Sequence, residues 1–245
     1  MSKDVFRHEL KYCINMPDYA LLRARLTPLI PRDKSAGATG EYTVRSLYFD
    51  DYWNTAYAEK DMGVMKRRKY RIRCYNFQDK VIRLERKTKM ASYIYKQSAP
   101  LTRAQTEAVI AGEYDFLRDS PHDLLREFYC ECTMRIMRPR VIVDYDREPF
   151  VMEAGDVRIT FDKHIRAGMG EFSLFDAELP VVEVMEGDRM IMEVKYTAFL
   201  PSLARLLLPP DASIMTASSK YVLACDAAVR EKNQDRVEGL QWRGR

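Results

Sequence analysis

Hydrophobic and charged residues alternate with period two along much of this chain, the period that a β-strand gives to its two faces. In residues 69–74, Lys69, Arg71 and Arg73 fall on one face and Tyr70, Ile72 and Cys74 on the other. Residues 81–89 repeat the habit with Arg83, Glu85, Lys87 and Lys89 in phase, and residues 77–80 between the two runs read as a hairpin turn. Arg7, Glu9 and Lys11 share a face near the start of the chain. Val141, Val143, Tyr145 and Arg147 oppose Ile142, Asp144 and Asp146; Arg158, Thr160 and Asp162 oppose Val157, Ile159 and Phe161; Glu193 and Lys195 are in phase.

Elsewhere the spacing is helical. Asn15 with Pro17 opens a helix that places Leu21, Leu22, Leu26 and Leu29 on one side and ends near Pro31. Thr102 and Gln105 form a capping-box pattern ahead of Val109 and Ile110. Ser120 and Pro121 start a longer helix carrying Leu124, Leu125, Phe128 and Cys132, and two more are expected at about 199–208 and 218–232. Residues 233–245 are polar and expected as an unstructured tail, leaving 1–232 as a single domain.

One strand with a charged face is an ordinary solvent face of an antiparallel sheet. Six such strands dominated by Arg and Lys, with sparse and regularly placed Glu, imply something else. An α+β fold is expected; if its sheet closes into an antiparallel barrel with helices packed outside, the apolar phase meets the helices and the charged phase lines the lumen. Clustered cations in a low-dielectric tunnel repel one another and need a polyanion. Arg offers phosphate a planar fork and Lys a point charge, so the mixture suits a chain of phosphates, and the scattered Glu would hold Mg²⁺ or Mn²⁺ against the phosphate oxygens.

Composition narrows this further. Forty Lys+Arg stand against 36 Asp+Glu, a net charge of +4 in 245 residues, which argues against nucleic acid as a partner. The 47% hydrophobic content supplies a core. The charged first residues exclude a secretory signal, and no run approaches the ~20 apolar residues of a membrane span. Five cysteines, Cys13, Cys74, Cys130, Cys132 and Cys225, lack paired CxxC spacing, so a soluble, cytoplasmic protein is expected. There is no P-loop, GxGxxG, HExxH or GxSxG pattern. His8, His122 and His164 are scattered and read as structural or surface groups, with His8 out of phase with Glu9.

Seven segments, taken in order, resemble the VTC domain. They are Arg7-x-Glu9-x-Lys11-Tyr12, Arg45-Ser46-Leu47-Tyr48-Phe49-Asp50, Lys69-Tyr70-Arg71-Ile72-Arg73, Leu84-Glu85-Arg86-Lys87, Val157-Arg158-Ile159-Thr160-Phe161-Asp162, Met192-Glu193-Val194-Lys195 and Ser219-Lys220-Tyr221. The VTC domain is the polyphosphate polymerase domain of the vacuolar transporter chaperone complex, within the triphosphate tunnel metalloenzyme (CYTH-like) superfamily. The resemblance spans about residues 5–226 and is greatest to bacterial stand-alone members; neither a phosphate-sensing SPX domain nor a membrane segment is recognisable.

The resemblance implies a closed eight-stranded antiparallel tunnel with flanking helices. It implies that Lys11, Arg71, Arg73, Lys87, Lys96, Arg147, Arg158 and Lys220 bind triphosphate or the growing chain, and that Glu193 is the main metal ligand. Lys69 and Lys195 join them by phase, and Tyr145, in phase with Arg147, reaches a phosphate through its hydroxyl or packs in the core. Glu9 and Glu85 stand open between metal binding and ion pairing with their cationic neighbours. Hydrolytic relatives open with E-x-E-x-K, whereas Arg7 replaces the first carboxylate here, which disfavours a two-metal hydrolase. The implied activity is ATP-dependent polyphosphate synthesis, with ATP, phosphate and polyphosphate as ligands and Mn²⁺ or Mg²⁺ as cofactor. Arg71, Arg73, Arg147 and Arg158 would neutralise the transferred group while Lys11 and Lys87 align donor and acceptor. A triphosphate or nucleotide hydrolase, a cyclase of the same fold and a non-catalytic polyphosphate-binding module are the alternatives.

Overall fold

A computed structural model describes residues 8–90, 93–197, 199–209 and 219–242, with 232–242 described by their backbone. The alternating segments form one antiparallel sheet: β1 (His8–Ile14), β2 (Tyr42–Asp50), β3 (Lys66–Tyr75), β4 (Gln78–Met90), β5 (Tyr93–Leu101), β6 (Arg138–Met152), β7 (Val157–Gly168), β8 (Val181–Glu183) and β9 (Met190–Tyr196). The order across the sheet is β1-β9-β7-β6-β2-β3-β4-β5, with the three-residue β8 paired to β7. Among the described residues the sheet thus has nine strands rather than eight and is not a closed barrel. Among the described residues β1 and β5 share no ladder; they approach through side chains, the His8 ring 6.1 Å from that of Tyr93 and the Lys87 ammonium on β4 2.9 Å from the Glu9 carboxylate on β1. Alternation specifies which face a residue occupies, whereas closure depends on strand tilt and stagger, which period two does not encode.

The helices are α1 (Met16–Leu26), α2 (Thr55–Asp61), α3 (Arg103–Ala111), α4 (Asp123–Met134), α5 (Ser202–Leu207) and α6 (Lys220–Trp242). Asn15 caps α1 by accepting the Asp18 amide, and Thr102 with Gln105 makes both bonds of a capping box on α3. Leu22 and Leu26 of α1 are buried, but Leu21 and Leu29 are exposed, so the apolar stripe is narrower than expected. Helix α4 begins after His122, two residues later than the Ser-Pro signal suggests. Residues 233–242, expected as part of an unstructured tail, continue α6; Gln, Glu, Arg and Leu there are good helix formers. The hairpin between β3 and β4 turns on Asn76 and Phe77, both at positive φ, with Gln78 already paired to Tyr75, so the turn is a two-residue one at 76–77 and not the four residues 77–80.

Three apolar clusters surround the sheet. On the convex face α3 and α4 cover β3, β4 and β5 around Phe128, Ile72 and Leu84, while α1 and α5 cover β1, β7 and β9 around Leu26, Phe161 and Met192. The third cluster lies on the concave face. There Val44, Val141, Val143 and Ile191 pack with Tyr221, Ala224 and Cys225 of α6. The concave face is therefore not charged throughout: α6 covers its apolar part, and the charged remainder surrounds a cavity.

Candidate functional site

The cavity has a volume of about 400 Å³, within the range of small-molecule sites. Eleven Lys and Arg line it against two carboxylates, Glu9 and Glu193, although the whole chain carries a surplus of only four positive charges. The ladder brings them together. Lys11 is opposite Glu193 and Glu9 opposite Lys195 across β1 and β9; Lys69 is opposite Lys87, and Arg71 opposite Glu85, across β3 and β4; Arg147 is opposite Asp162 across β6 and β7. Lys220 and Ser219 arrive from the start of α6, which is fixed because the Tyr221 hydroxyl donates to the buried Asp50 carboxylate. Asp50 also accepts the Ala56 and Tyr57 amides at 2.9 and 3.0 Å, so one carboxylate ties α2 and α6 to the end of β2.

Each carboxylate on this face is oversupplied with cations. Glu193 lies 3.2 Å from Lys11, 2.8 Å from Lys195, 2.7 Å from Lys220 and 3.7 Å from Arg147. Glu9 lies 2.9 Å from Lys87, 3.5 Å from Lys195 and 3.8 Å from Lys11. Burial alone would raise both carboxyls, but the ammonium groups outweigh it and hold both below the usual carboxylate range. Burial would likewise lower Lys11, yet Glu193 and Glu9 raise it. Lys69 is the contrast. Among the described residues it has no carboxylate partner, donating instead to Ser219 Oγ at 2.8 Å, and burial with Lys11, Lys87, Arg67 and Lys60 nearby pushes it down to about 7. Burial pushes Lys87 down to about 8 despite Glu9, because Lys11 and Lys195 oppose its charge.

Behind the cavity wall lie two buried carboxylates. Asp162 holds Arg147 in a bidentate pair at 2.7 and 2.8 Å and reaches Lys220 at 2.6 Å. Glu85 takes Arg71 at 2.6 Å and Lys96 at 2.8 Å and lies outside the cavity lining. Arg71 also donates to Tyr48 Oη at 2.9 Å, and Arg73 to Tyr145 Oη at 3.0 Å and Ser46 Oγ at 3.1 Å. The arginines are thus held in fixed orientations before any ligand arrives.

Of the residues expected from sequence, Lys11, Lys69, Arg71, Arg73, Lys87, Tyr145, Arg147, Lys195, Lys220, Glu9 and Glu193 all line the cavity. Arg158 does not. It sits opposite Lys195 in the ladder, but its half-exposed guanidinium turns away to Asp33. Lys96 is half-exposed on the edge strand and engages Glu85 from outside the lining. Arg7 lies outside the described residues. Lys60, Arg67, Lys89, Tyr48 and Ser219 also line the cavity and were missed. Arg67 and Lys89 continue the phase of Lys69 and Lys87, a legible signal; Lys60 comes from α2, where no strand phase could place it. His8 faces away, stacked on Tyr196 with ring centroids 5.0 Å apart.

The donor set for a divalent cation consists of Glu9 and Glu193, which share Lys11 and Lys195. No group of three or more His, Cys, Asp or Glu suited to a metal occurs among the described residues. Two carboxylates fit a cation that takes its remaining ligands from substrate phosphates and water, which is how Mg²⁺ is commonly held.

A curved antiparallel sheet whose concave face gathers arginines and lysines around a few carboxylates defines a triphosphate tunnel type of protein. The family model named VTC domain matches residues 6–229, and the chain belongs to that family. Among solved structures, a "putative adenylate cyclase" of Bacillus halodurans is 10% identical, with 84% of this chain and 87% of that chain covered and a TM-score of 0.50, and shares the fold. A Hippeastrum protein described as having a dominant triphosphatase activity is 13% identical, with 79% and 80% covered and a TM-score of 0.47. A Pyrococcus horikoshii protein is 11% identical, with 89% and 98% covered and a TM-score of 0.46. No curated protein matches the chain.

Proposed function

We propose that the chain is an ATP-dependent polyphosphate polymerase, transferring the γ-phosphoryl group of ATP to orthophosphate or to a polyphosphate end within the cationic cavity. The observation that carries this reading is the imbalance of eleven cations to two carboxylates along one continuous lining. A phosphate chain supplies the anions that the lining lacks, and membership of the VTC family points to polyphosphate as that chain.

The arginines would do the central work. Arg71, Arg73 and Arg147, already oriented by Tyr48, Tyr145 and Asp162, face the cavity where charge spreads over the oxygens of the transferred group. Lys11, Lys87, Lys69, Lys195 and Lys220 would hold donor and acceptor phosphates in line, with Arg158 and Lys96 serving the flanks. A phosphate oxygen of the acceptor bonds to the γ-phosphorus as the bond to the bridging β–γ oxygen breaks and ADP leaves. The attacking oxygen is already anionic, so no protein base is required. Glu193, with Glu9, would hold Mg²⁺ or Mn²⁺, which when bound supplies charge neutralisation at phosphate oxygens. The lysines now on these carboxylates would move to the phosphates.

The test is incubation of the purified chain with γ-labelled ATP and Mn²⁺ or Mg²⁺, beside Glu193→Gln, with products resolved by chain length. Long labelled polyphosphate that is lost in the variant is expected. Labelled orthophosphate alone would replace the reading with a hydrolase, and unchanged ATP with tight polyphosphate binding would replace it with a binding module.

A further inference from the structure

Away from the cavity, two loops present large apolar side chains to solvent. Trp53 is 79% exposed and Met134 81%, with Tyr52 and Ile136 also exposed beside them. These four line one shallow groove between the end of β2 and the end of α4. Their backbones are held rather than loose. The Tyr52 amide donates to the Arg135 carbonyl at 3.2 Å, and Asp51 accepts the Trp53 and Thr55 amides at 3.1 and 2.9 Å. Ile136 has φ of 54°, a left-handed conformation that a β-branched residue adopts only when its surroundings impose it, at a cost of order 1–3 kcal/mol. Burial does not account for that strain, since the side chain it orients points into solvent.

Exposed basic residues flank the groove, Arg135 lying 3.8 Å from Glu131 and Arg68 3.6 Å from Glu127. Arg135, Arg138, Lys66 and Arg68 are exposed, whereas the neighbouring Glu59 and Glu131 are half-buried and Asp51 is buried under its amide bonds. The Arg138 guanidinium lies 5.4 Å from the Tyr52 ring centroid, and the ring of Tyr52 meets that of Trp53 edge to face at 4.9 Å. Protruding Trp, Tyr, Met and Ile side chains among exposed arginines match a bilayer interface, where amphipathic rings settle at headgroup depth and basic residues meet anionic lipids. No helix among the described residues is long and apolar enough to cross a membrane, so the contact is peripheral.

We infer that Tyr52, Trp53, Met134 and Ile136, framed by Arg135 and Arg138, form a docking surface for an anionic lipid bilayer. The cation-lined cavity is a second route by which the chain could bind anionic vesicles, and the test separates the two. The full chain carrying Trp242→Phe, which leaves Trp53 as the one tryptophan, is floated with vesicles of phosphatidylcholine alone or with one-third phosphatidylglycerol. Flotation with the anionic vesicles and a shift of Trp53 emission to shorter wavelength are expected. Trp53→Ser, at a solvent-exposed position, should abolish most flotation, and Arg135→Gln with Arg138→Gln should weaken it roughly thirtyfold. No flotation, equal flotation with neutral vesicles, or anionic binding that survives Trp53→Ser would overturn the inference. So would Trp53 shielding that rises with protein concentration in the absence of vesicles, which would assign the surface to a second copy of the chain.

Discussion

Two sets of ions occupy opposite faces of the same sheet. On the convex side Arg45 and Asp144, both almost fully buried, form a one-to-one bidentate pair at 2.8 and 2.7 Å, and Arg45 also donates to carbonyls of Ser173 and Asp176. That pair is complete: every charge has its counter-charge. On the concave side Glu193 is shared by four cations, and Lys69 has no carboxylate at all among the described residues. A matched pair holds a fold together, whereas an unmatched set stores repulsion that an anionic ligand relieves.

The largest expected effect falls on the matched side. Arg45→Met leaves Asp144 buried and unpaired and should cost about 3–5 kcal/mol of stability, read by chemical denaturation, with no recovery on adding tripolyphosphate. If tripolyphosphate restored that stability, the two sides would not be distinct. Next comes the cavity: Arg71→Ala should lower the transfer rate about 10²–10³-fold while costing less stability than Arg45→Met, since Glu85 keeps Lys96 at 2.8 Å and Arg73 at 3.8 Å. Steady-state kinetics beside a melting curve checks both halves. The smallest effect, several-fold, concerns pH. Lys69 and Lys87 lie at about 7 and 8 in the folded chain against about 10.4 when unfolded, so between these values the unfolded chain binds more protons and the stability of the free protein rises with pH. Tripolyphosphate needs both ammoniums charged, so its affinity should fall as pH rises from 7 to 9. Titration calorimetry and melting curves should slope in opposite directions, and Lys69→Met should flatten both.

Much of the site was legible because period two is a strong signal. Eleven of the expected positions line one cavity, including Tyr145, which the sequence left open between phosphate contact and core packing and which is both buried in the concave apolar cluster and part of the lining. What alternation could not encode was how far along each strand the cavity extends. Val143 and Arg147 share a face of β6, yet α6 covers the first and leaves the second in the cavity. Nor could it show that Arg158, correctly placed on the concave phase, turns to Asp33, a contact 125 residues away in sequence. The convex helices were found through their caps and apolar spacing; α6 was expected as a peripheral helix, and its place on the concave face follows from Tyr221 meeting Asp50.

Among the described residues no ladder joins β1 to β5, and that changes the topology of whatever the cavity holds. A ring of hydrogen-bonded strands encircles a polymer, which then enters and leaves only by its ends. Here the circuit is completed by side chains, chiefly Lys87 against Glu9, so the enclosure is a slot with a clasp. Parting of that ion pair would add a lateral exit to the two ends. For a polymerase, processivity would then depend on ionic strength rather than on enclosure, and salt would shorten the product by releasing it laterally.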